Sequence, residues 1–264
     1  MRILITNDDG VAAPGIKALA KRLSEEHEVV VVAPAVEQSG KGFGVTFLSP
    51  LFVRPYTIEG VDVPAYAVEG TPADCAKIGM EELAGFLPDM VVSGINSGSN
   101  LGMDTFPSGT VNAAIAAIHR GIPAIASSLC GKTEAYFEGV AEMTAQLVRY
   151  AEKYPAPKNV LLSLNAPDIP TEQIKGIRLA PLAPVGYSCT YDRRTNPEGD
   201  RTYYWTIAHF HWRNHSDTPH TDGEWITDGY ATVTPICVDT TAYDYMEQMR
   251  KHPFFQEEHH GKQQ

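Results

Sequence analysis

Apolar and polar positions follow a strand–helix–strand order from the start of the chain. Residues 3–5 form a short apolar run, residues 15–23 carry apolar side chains at helical spacing, and residues 28–33 form a second apolar run. A strand, a helix and a strand within about thirty residues are the βαβ unit of a parallel sheet. The pattern therefore predicts an α/β fold.

The same alternation continues over the next part of the chain. It predicts strands at residues 51–58, 64–68, 89–94, 123–128 and 159–165, and helices at residues 72–83, 110–120 and 134–154. With the strand at residues 159–165 we expect the α/β core to close, near residue 182. We therefore assign residues 1–182 to the core and residues 183–264 to an extension of the same domain.

The extension has a different composition. Residues 187–208 are rich in Tyr, Thr and Trp around Asn196-Pro197-Glu198-Gly199, which is the pattern of a long β-hairpin. Such an arm buries little surface alone. Its aromatic side chains are expected to pack on the core or on another subunit: Tyr203, Tyr204, Trp205, Phe210 and Trp212. Residues 230–235 are predicted as a last strand, residues 241–251 as a last helix, and residues 257–264 as a frayed tail.

Two adjacent carboxylates follow the first predicted strand. Asp8 and Asp9 precede Gly10, which permits the turn that both side chains need in order to meet one ligand. Two carboxylates held together repel each other unless a cation lies between them, and a hard divalent ion suits them. The alternative is an Asx-turn that caps the next helix.

Two glycine-rich segments leave the carboxyl ends of predicted strands, where open α/β sheets bind ligands. One is residues 35–44, and the other is residues 95–109, which is too long and too polar for a simple connection. At the following helix start, Ser108, Gly109 and Thr110 offer hydroxyls and unpaired backbone N–H groups, which can hold a phosphate without a basic side chain. An ordinary N-cap explains the same residues, as it does at Thr71.

Charge and cysteine usage limit the class of partner. The 264 residues carry a formal charge of −11, which argues against binding to a nucleic acid duplex or a membrane surface. The four cysteines show no metal-binding spacing, and His209, His211, His215 and His220 fit no single metal geometry. Without a predicted signal peptide or spanning segment, we expect a cytoplasmic protein.

Several motifs together resemble the SurE family of survival-protein nucleotidases. The motifs are Ile5-Thr6-Asn7-Asp8-Asp9-Gly10, Gln38-Ser39-Gly40, Ser93-Gly94-Ile95-Asn96-Ser97-Gly98 and Ser108-Gly109-Thr110-Val111-Asn112. The resemblance covers nearly the whole chain. It implies a Rossmann-like three-layer sandwich with a mainly parallel sheet, a C-terminal hairpin arm and terminal helix used in oligomerisation, and hydrolysis of nucleoside monophosphates at the 5′ or 3′ position.

The resemblance also implies a set of site residues. The metal ligands would be Asp8, Asp9, Ser39 and Asn96, whose oxygen donors suit one Mg²⁺ or Mn²⁺ per subunit. The catalytic residues would be Asp8, Asp9, Asn96 and Ser108. The substrate would be bound by Asn7, Ser39, Gly40, Asn96, Ser108, Gly109 and Thr110. A homodimer or a homotetramer is the expected assembly.

Some positions depart from the family pattern, and some alternatives stay open. Glu37 stands where the family commonly has Asn, Gly44 where it has Ser, and Ala116-Ala117 where it has Glu-Gly. Asp8 or Asp9 could serve as a general base, and direct attack by Asp8 on phosphorus is the chief enzymatic rival. A regulatory module that binds a nucleotide or a metal without turnover is the alternative from another class.

Overall fold

A computed structural model describes residues 1–209 and 220–255 of the chain. The strands are β1 Arg2–Thr6, β2 Glu28–Pro34, β3 Val53–Tyr56, β4 Ala65–Val68, β5 Met90–Ser97, β6 Ala124–Cys130, β7 Val160–Pro167, β8 Ile177–Leu179, β9 Ser188–Thr195, β10 Thr202–His209 and β11 Ala231–Cys237. The helices are α1 Pro14–Ser24, α2 Pro72–Ile78, α3 Gly109–His119, α4 Phe137–Lys153, α5 Asp222–Thr227 and α6 Tyr243–Met249. The α/β class predicted from the pattern is confirmed.

One sheet of nine strands organises the described part of the chain. Its order is β3-β4-β2-β1-β5-β6-β7-β11-β8. The strands from β4 to β7 pair in parallel, whereas β3 pairs antiparallel with β4 and β11 antiparallel with β7. The sheet does not end at residue 182, where the sequence pattern places the close of the core, because β11 adds a strand from the C-terminal extension.

Helices cover both faces of this sheet, which gives three layers. Ile3 and Ile5 of β1 pack in one cluster with residues of α1 and α4, and Leu4 packs in a second cluster with residues of α2 and α3. Successive strand side chains point to opposite faces, so a wholly apolar strand is buried on both. Within the described residues, no helix combines the length and apolar character needed to cross a membrane.

The predicted arm is present as an antiparallel hairpin of β9 and β10, which form a second sheet of two strands. Tyr203, Tyr204 and Trp205 are 42%, 59% and 59% exposed, so they do not pack on the core of this chain. Their packing on another subunit stays a prediction. Phe210, Trp212, His211, His215 and the tail at residues 257–264 lie outside the described residues.

Candidate active site

The carboxyl ends of β1 and β5, the glycine-rich loop after β2 and the start of α3 surround one cavity of about 730 Å³. Asp8, Ser39, Gly40, Asn96 and Ser108 are among its lining residues. These positions are far apart in sequence, and the parallel sheet brings them to one edge. The structure therefore places most of the predicted site residues together.

Asp8 lies two residues after the end of β1 and is 4% exposed. The Thr110 hydroxyl of α3 donates a hydrogen bond to Asp8 Oδ1. Burial raises the pKa of Asp8 to about 6, with hydrogen bonds from Thr110 opposing the shift and the charge of Asp9 adding to it. A buried carboxylate with a raised pKa beside a second carboxylate favours a bound cation.

Asp9 is only half-buried and points toward β5. Its Oδ2 accepts a hydrogen bond from the Ser97 backbone N–H at 2.8 Å, which leaves Oδ1 for another partner. Burial and the charge of Glu37 raise the pKa of Asp9, while the Ser97 bond and the charge of Lys132 oppose the shift. Asp9 is not itself a lining residue of the cavity, although Ser97 is.

The close approach of α3 to Asp8 depends on a glycine. A Cβ on Gly109 would lie 2.7 Å from the Asp8 Cβ and 2.8 Å from its Oδ2. No real Cβ tolerates such contacts, so only glycine lets the first turn of α3 reach the carboxylate. Glycine is therefore required at position 109 for steric reasons. Its role in phosphate binding stays a prediction.

Asn96 and Ser108 each form a hydrogen bond within the protein and still have an atom available to bind a ligand. The Asn96 amide nitrogen donates to the Gly98 carbonyl at 2.8 Å, so its Oδ1 is the atom left to bind a cation. The Ser108 Oγ accepts from the Val111 N–H at 3.1 Å as an N-cap, and this bond does not use the Ser108 hydroxyl proton. Capping and ligand binding are thus compatible at Ser108.

The strand before Asn96 is longer than predicted. β5 runs to Ser97 rather than stopping at residue 94, and its pairing with β6 shifts register between Ser93 and Asn96. Such an irregularity redirects the side chains that follow it. Asn96 therefore belongs to the end of a strand rather than to the following loop.

The glycine-rich loop after β2 is fixed by its backbone. The Gln38 N–H donates to the Asp8 carbonyl at 2.7 Å, and the Gly42 N–H donates to the Pro107 carbonyl at 2.9 Å. Ser39 and Gly40 are exposed between these two bonds, and the Ser39 hydroxyl donates to Glu37 Oε1 at 2.8 Å. The loop thus connects the carboxylate edge to the segment before α3.

Two predicted substrate-binding residues, Asn7 and Thr110, form hydrogen bonds within the protein. The Asn7 side chain is fully buried and bonds to both the carbonyl and the N–H of Gly10, at 2.9 and 3.2 Å. This is the Asx-type turn, and it orients the Asp8-Asp9 pair rather than facing the cavity. The Thr110 hydroxyl donates a hydrogen bond to Asp8. Both residues hold the carboxylate turn in place, and their roles in substrate binding stay predictions.

The sequence pattern missed several lining residues. Asp104 and Lys132 line the cavity, and the hairpin arm contributes Tyr187, Cys189, Thr206 and Ala208. No local motif marks these positions, because the arm reaches the site only through the tertiary fold. Within the described residues, no group of three or more His, Cys, Asp or Glu could hold a metal ion, so the donors at this edge would have to include Ser39 and Asn96.

Comparisons with known proteins find relatives of this chain along nearly its whole length. A family model described as Survival protein SurE matches residues 3–188. The 5′-nucleotidase SurE of Syntrophobacter fumaroxidans is 42% identical over 251 residues, covering 95% of this chain and 99% of that protein. The 5′-nucleotidase SurE of Carboxydothermus hydrogenoformans is 41% identical over 255 residues, covering 95% of each.

The fold agrees as well. The crystal structure of the SurE protein from Aquifex aeolicus superposes with a TM-score of 0.80 at 36% identity, covering 95% of this chain and 99% of that one. The Rossmann-like arrangement implied by the sequence motifs is therefore confirmed. Sequence and fold agree along nearly the whole length, and the chain belongs to the SurE family.

Proposed function

We propose that this chain is a metal-dependent phosphomonoesterase that hydrolyses nucleoside monophosphates to nucleoside and phosphate, as a 5′/3′-nucleotidase. The observation that carries the proposal is the meeting of Asp8 with Asn96, Ser39 and the start of α3 at one cavity. The name 5′-nucleotidase carried by the relatives supports the choice of substrate.

The donor set fits a hard divalent ion. Asp8 and Asp9 supply carboxylate oxygens, Ser39 a hydroxyl and Asn96 an amide oxygen, a set that suits Mg²⁺ or Mn²⁺ and contains no sulfur or imidazole. When bound, such an ion supplies Lewis-acid stabilisation of the phosphate and a more acidic water. The raised pKa values of both carboxylates support a cation between them.

The protein groups would hold the phosphate in place. The Ser108 hydroxyl proton and the Gly109 backbone N–H, at the positive end of the α3 dipole, would donate to the phosphate oxygens as charge spreads over them. Gly40 leaves open space beside the cavity, since a Cβ there would meet nothing within 4 Å. Asp8, Asp9, Asn96 and Ser108 form the proposed catalytic group.

A regulatory module without turnover is not favoured. Retention of a nucleotide needs only glycine loops and helix N-termini, whereas two adjacent carboxylates, Asp8 and Asp9, lie at this edge of the sheet. We propose a cytoplasmic homodimer or homotetramer in which the exposed hairpin contacts another subunit, which light scattering of the purified chain tests directly.

The test of function is release of phosphate from 5′-AMP, 3′-AMP and p-nitrophenyl phosphate with Mn²⁺ or Mg²⁺, with and without chelator. We expect chelator-sensitive turnover, and loss of turnover in Asp8→Asn with an unchanged circular dichroism spectrum. A matched control is Asp62→Asn, which removes an exposed carboxylate elsewhere on the chain. Turnover by Asp8→Asn equal to that of the unmodified protein would exclude the proposed site.

A further inference from the structure

The proposed site presents an electrostatic problem for an anionic substrate. Asp8 and Asp104 line the cavity, and Asp9 and Glu37 lie next to it. The chain as a whole carries a formal charge of −11. These carboxylates repel a phosphate dianion, and a positive side chain at the cavity would offset that repulsion.

Lys132 is the one basic side chain among the described residues that line the cavity. It follows β6, in the turn that leads toward α4. Because Lys132 lines the same cavity as Asp8 and Ser108, its side chain lies at the site where the phosphate is expected rather than at a remote part of the surface.

The backbone that carries Lys132 is tightly fixed. Asp168 Oδ2, at the end of β7, accepts from the Lys132 N–H at 3.3 Å and from the Thr133 hydroxyl at 3.0 Å. A Cβ on Gly131 would lie 2.0 Å from the same oxygen, so only glycine permits this packing. The base of the lysine is thus held while its side chain is exposed to solvent.

We propose that Lys132 is a substrate-binding residue, whose ammonium group binds the phosphate of the nucleotide and of the inorganic product. This inference rests on the proposed function for the identity of the substrate. It adds a residue that none of the sequence motifs contains. Lys132 neutralises part of the phosphate charge, in addition to the hydrogen bonds from the start of α3 and the charge of the ion held by the carboxylates.

The test compares Lys132→Ala, Lys132→Glu and Lys132→Arg with Lys17→Ala, which removes an exposed lysine on α1. We expect KM for 5′-AMP and the inhibition constant for inorganic phosphate to rise about 1.5- to fivefold in Lys132→Ala, the range of an ion pair at an exposed site. The kcat value should change by less than about twofold, because the contact is made in both ground and transition states. Lys132→Glu should show a larger rise, and Lys132→Arg a smaller one.

Equilibrium binding of inorganic phosphate by calorimetry separates this inference from the proposed function. If the unmodified protein binds phosphate through Lys132 but releases none from nucleotides, the function is wrong and the lysine assignment stands. If the protein hydrolyses 5′-AMP and Lys132→Ala and Lys132→Glu leave KM and phosphate affinity at the level of Lys17→Ala, the lysine assignment is wrong and the function stands.

Discussion

The hydroxyl of Ser39 donates a hydrogen bond to the carboxylate of Glu37, with 2.8 Å between Oγ and Oε1. Glu37 is one of the positions where the chain departs from the common family residue. Because the Ser39 proton is directed at Glu37, the lone pairs of the Ser39 oxygen are left for a cation. Glu37 therefore orients a proposed metal ligand from outside the site, as outer partners of metal ligands commonly do.

This arrangement predicts weaker ion binding without Glu37. In Glu37→Ala we expect the affinity for Mn²⁺ to fall about tenfold, the lower end of the effect of losing such a partner. Glu37→Gln keeps an acceptor oxygen and should lose less. Electron paramagnetic resonance titration of the metal-free protein with Mn²⁺ measures both, and equal affinities in all three proteins would show that Ser39 needs no such partner.

The bond from Thr110 to Asp8 predicts a loss of stability when the donor is removed. In Thr110→Val a methyl group replaces the hydroxyl, and the buried carboxylate loses a charge-assisted bond. We expect the free energy of unfolding at about pH 8 to fall by about 2 kcal/mol. Thr110→Ser keeps the hydroxyl and is the matched control. Urea denaturation of both variants gives the comparison, and a Val variant as stable as the Ser variant would contradict the role assigned to Thr110.

The hydrogen-bonded carboxylate of Asp74, in the first turn of α2, is expected to make stability depend on pH. Burial raises the pKa of Asp74, but hydrogen bonds from Thr46 and Thr71 outweigh that effect, so its pKa lies below the ordinary value. A carboxylate with a depressed pKa stabilises the fold above its unfolded-state pKa, and the contribution is lost as pH falls through the folded-state value.

We therefore expect Asp74→Asn to be less stable than the unmodified protein by about 1–3 kcal/mol at neutral pH. The difference should stay constant from neutral pH to about 4 and shrink below that, because the unfolded chain takes up the proton first and the folded-state carboxylate only at lower pH. Urea titrations across this range provide the measurement, with Asp62→Asn as the control for a lost exposed charge. A difference that does not shrink below about pH 4 would rule out an ionised Asp74 as the stabilising group.

The hairpin arm predicts a change in substrate selectivity. Thr206 and Ala208 of β10 line the same cavity as Asp8 and Ser108. In Ala208→Trp the added side chain would occupy space that a nucleoside needs. We expect kcat/KM for 5′-AMP to fall about tenfold or more, and that for the smaller p-nitrophenyl phosphate to fall less.

Thr202→Trp is the matched control for this change, since Thr202 is exposed on the same strand and does not line the cavity. It should leave both substrates unaffected. Equal losses for the two substrates in Ala208→Trp would mean that the arm does not contact the nucleoside part of the substrate.

The sequence predicts the elements of this protein better than their connections. The apolar runs before Asp8 and Asn96 indicate buried strands, and parallel order brings their ends to one edge. β11 could not be placed by pattern alone, because a short strand after a long insertion has no local signal for its partner. Its pairing with β7 is decided by tertiary packing.

The candidate site shows the same division. Motifs identify the groups that end strands or begin helices, such as Asp8, Asn96 and Ser108. They do not identify the partner of each hydroxyl: the bond from Thr110 to Asp8 has no signal in the sequence. Lys132 has no motif at all, because its importance arises only from the cavity it shares with distant residues.

The central claim is an oxygen-lined cation site made by Asp8, Asp9, Ser39 and Asn96. An anomalous difference map from a crystal of this protein soaked in Mn²⁺ tests it most directly. We predict a single strong peak per subunit within coordination distance, about 2.0–2.4 Å, of oxygen atoms from these four side chains, and no peak there in Asp8→Asn. A fully loaded crystal whose manganese peaks all lie elsewhere would contradict the claim.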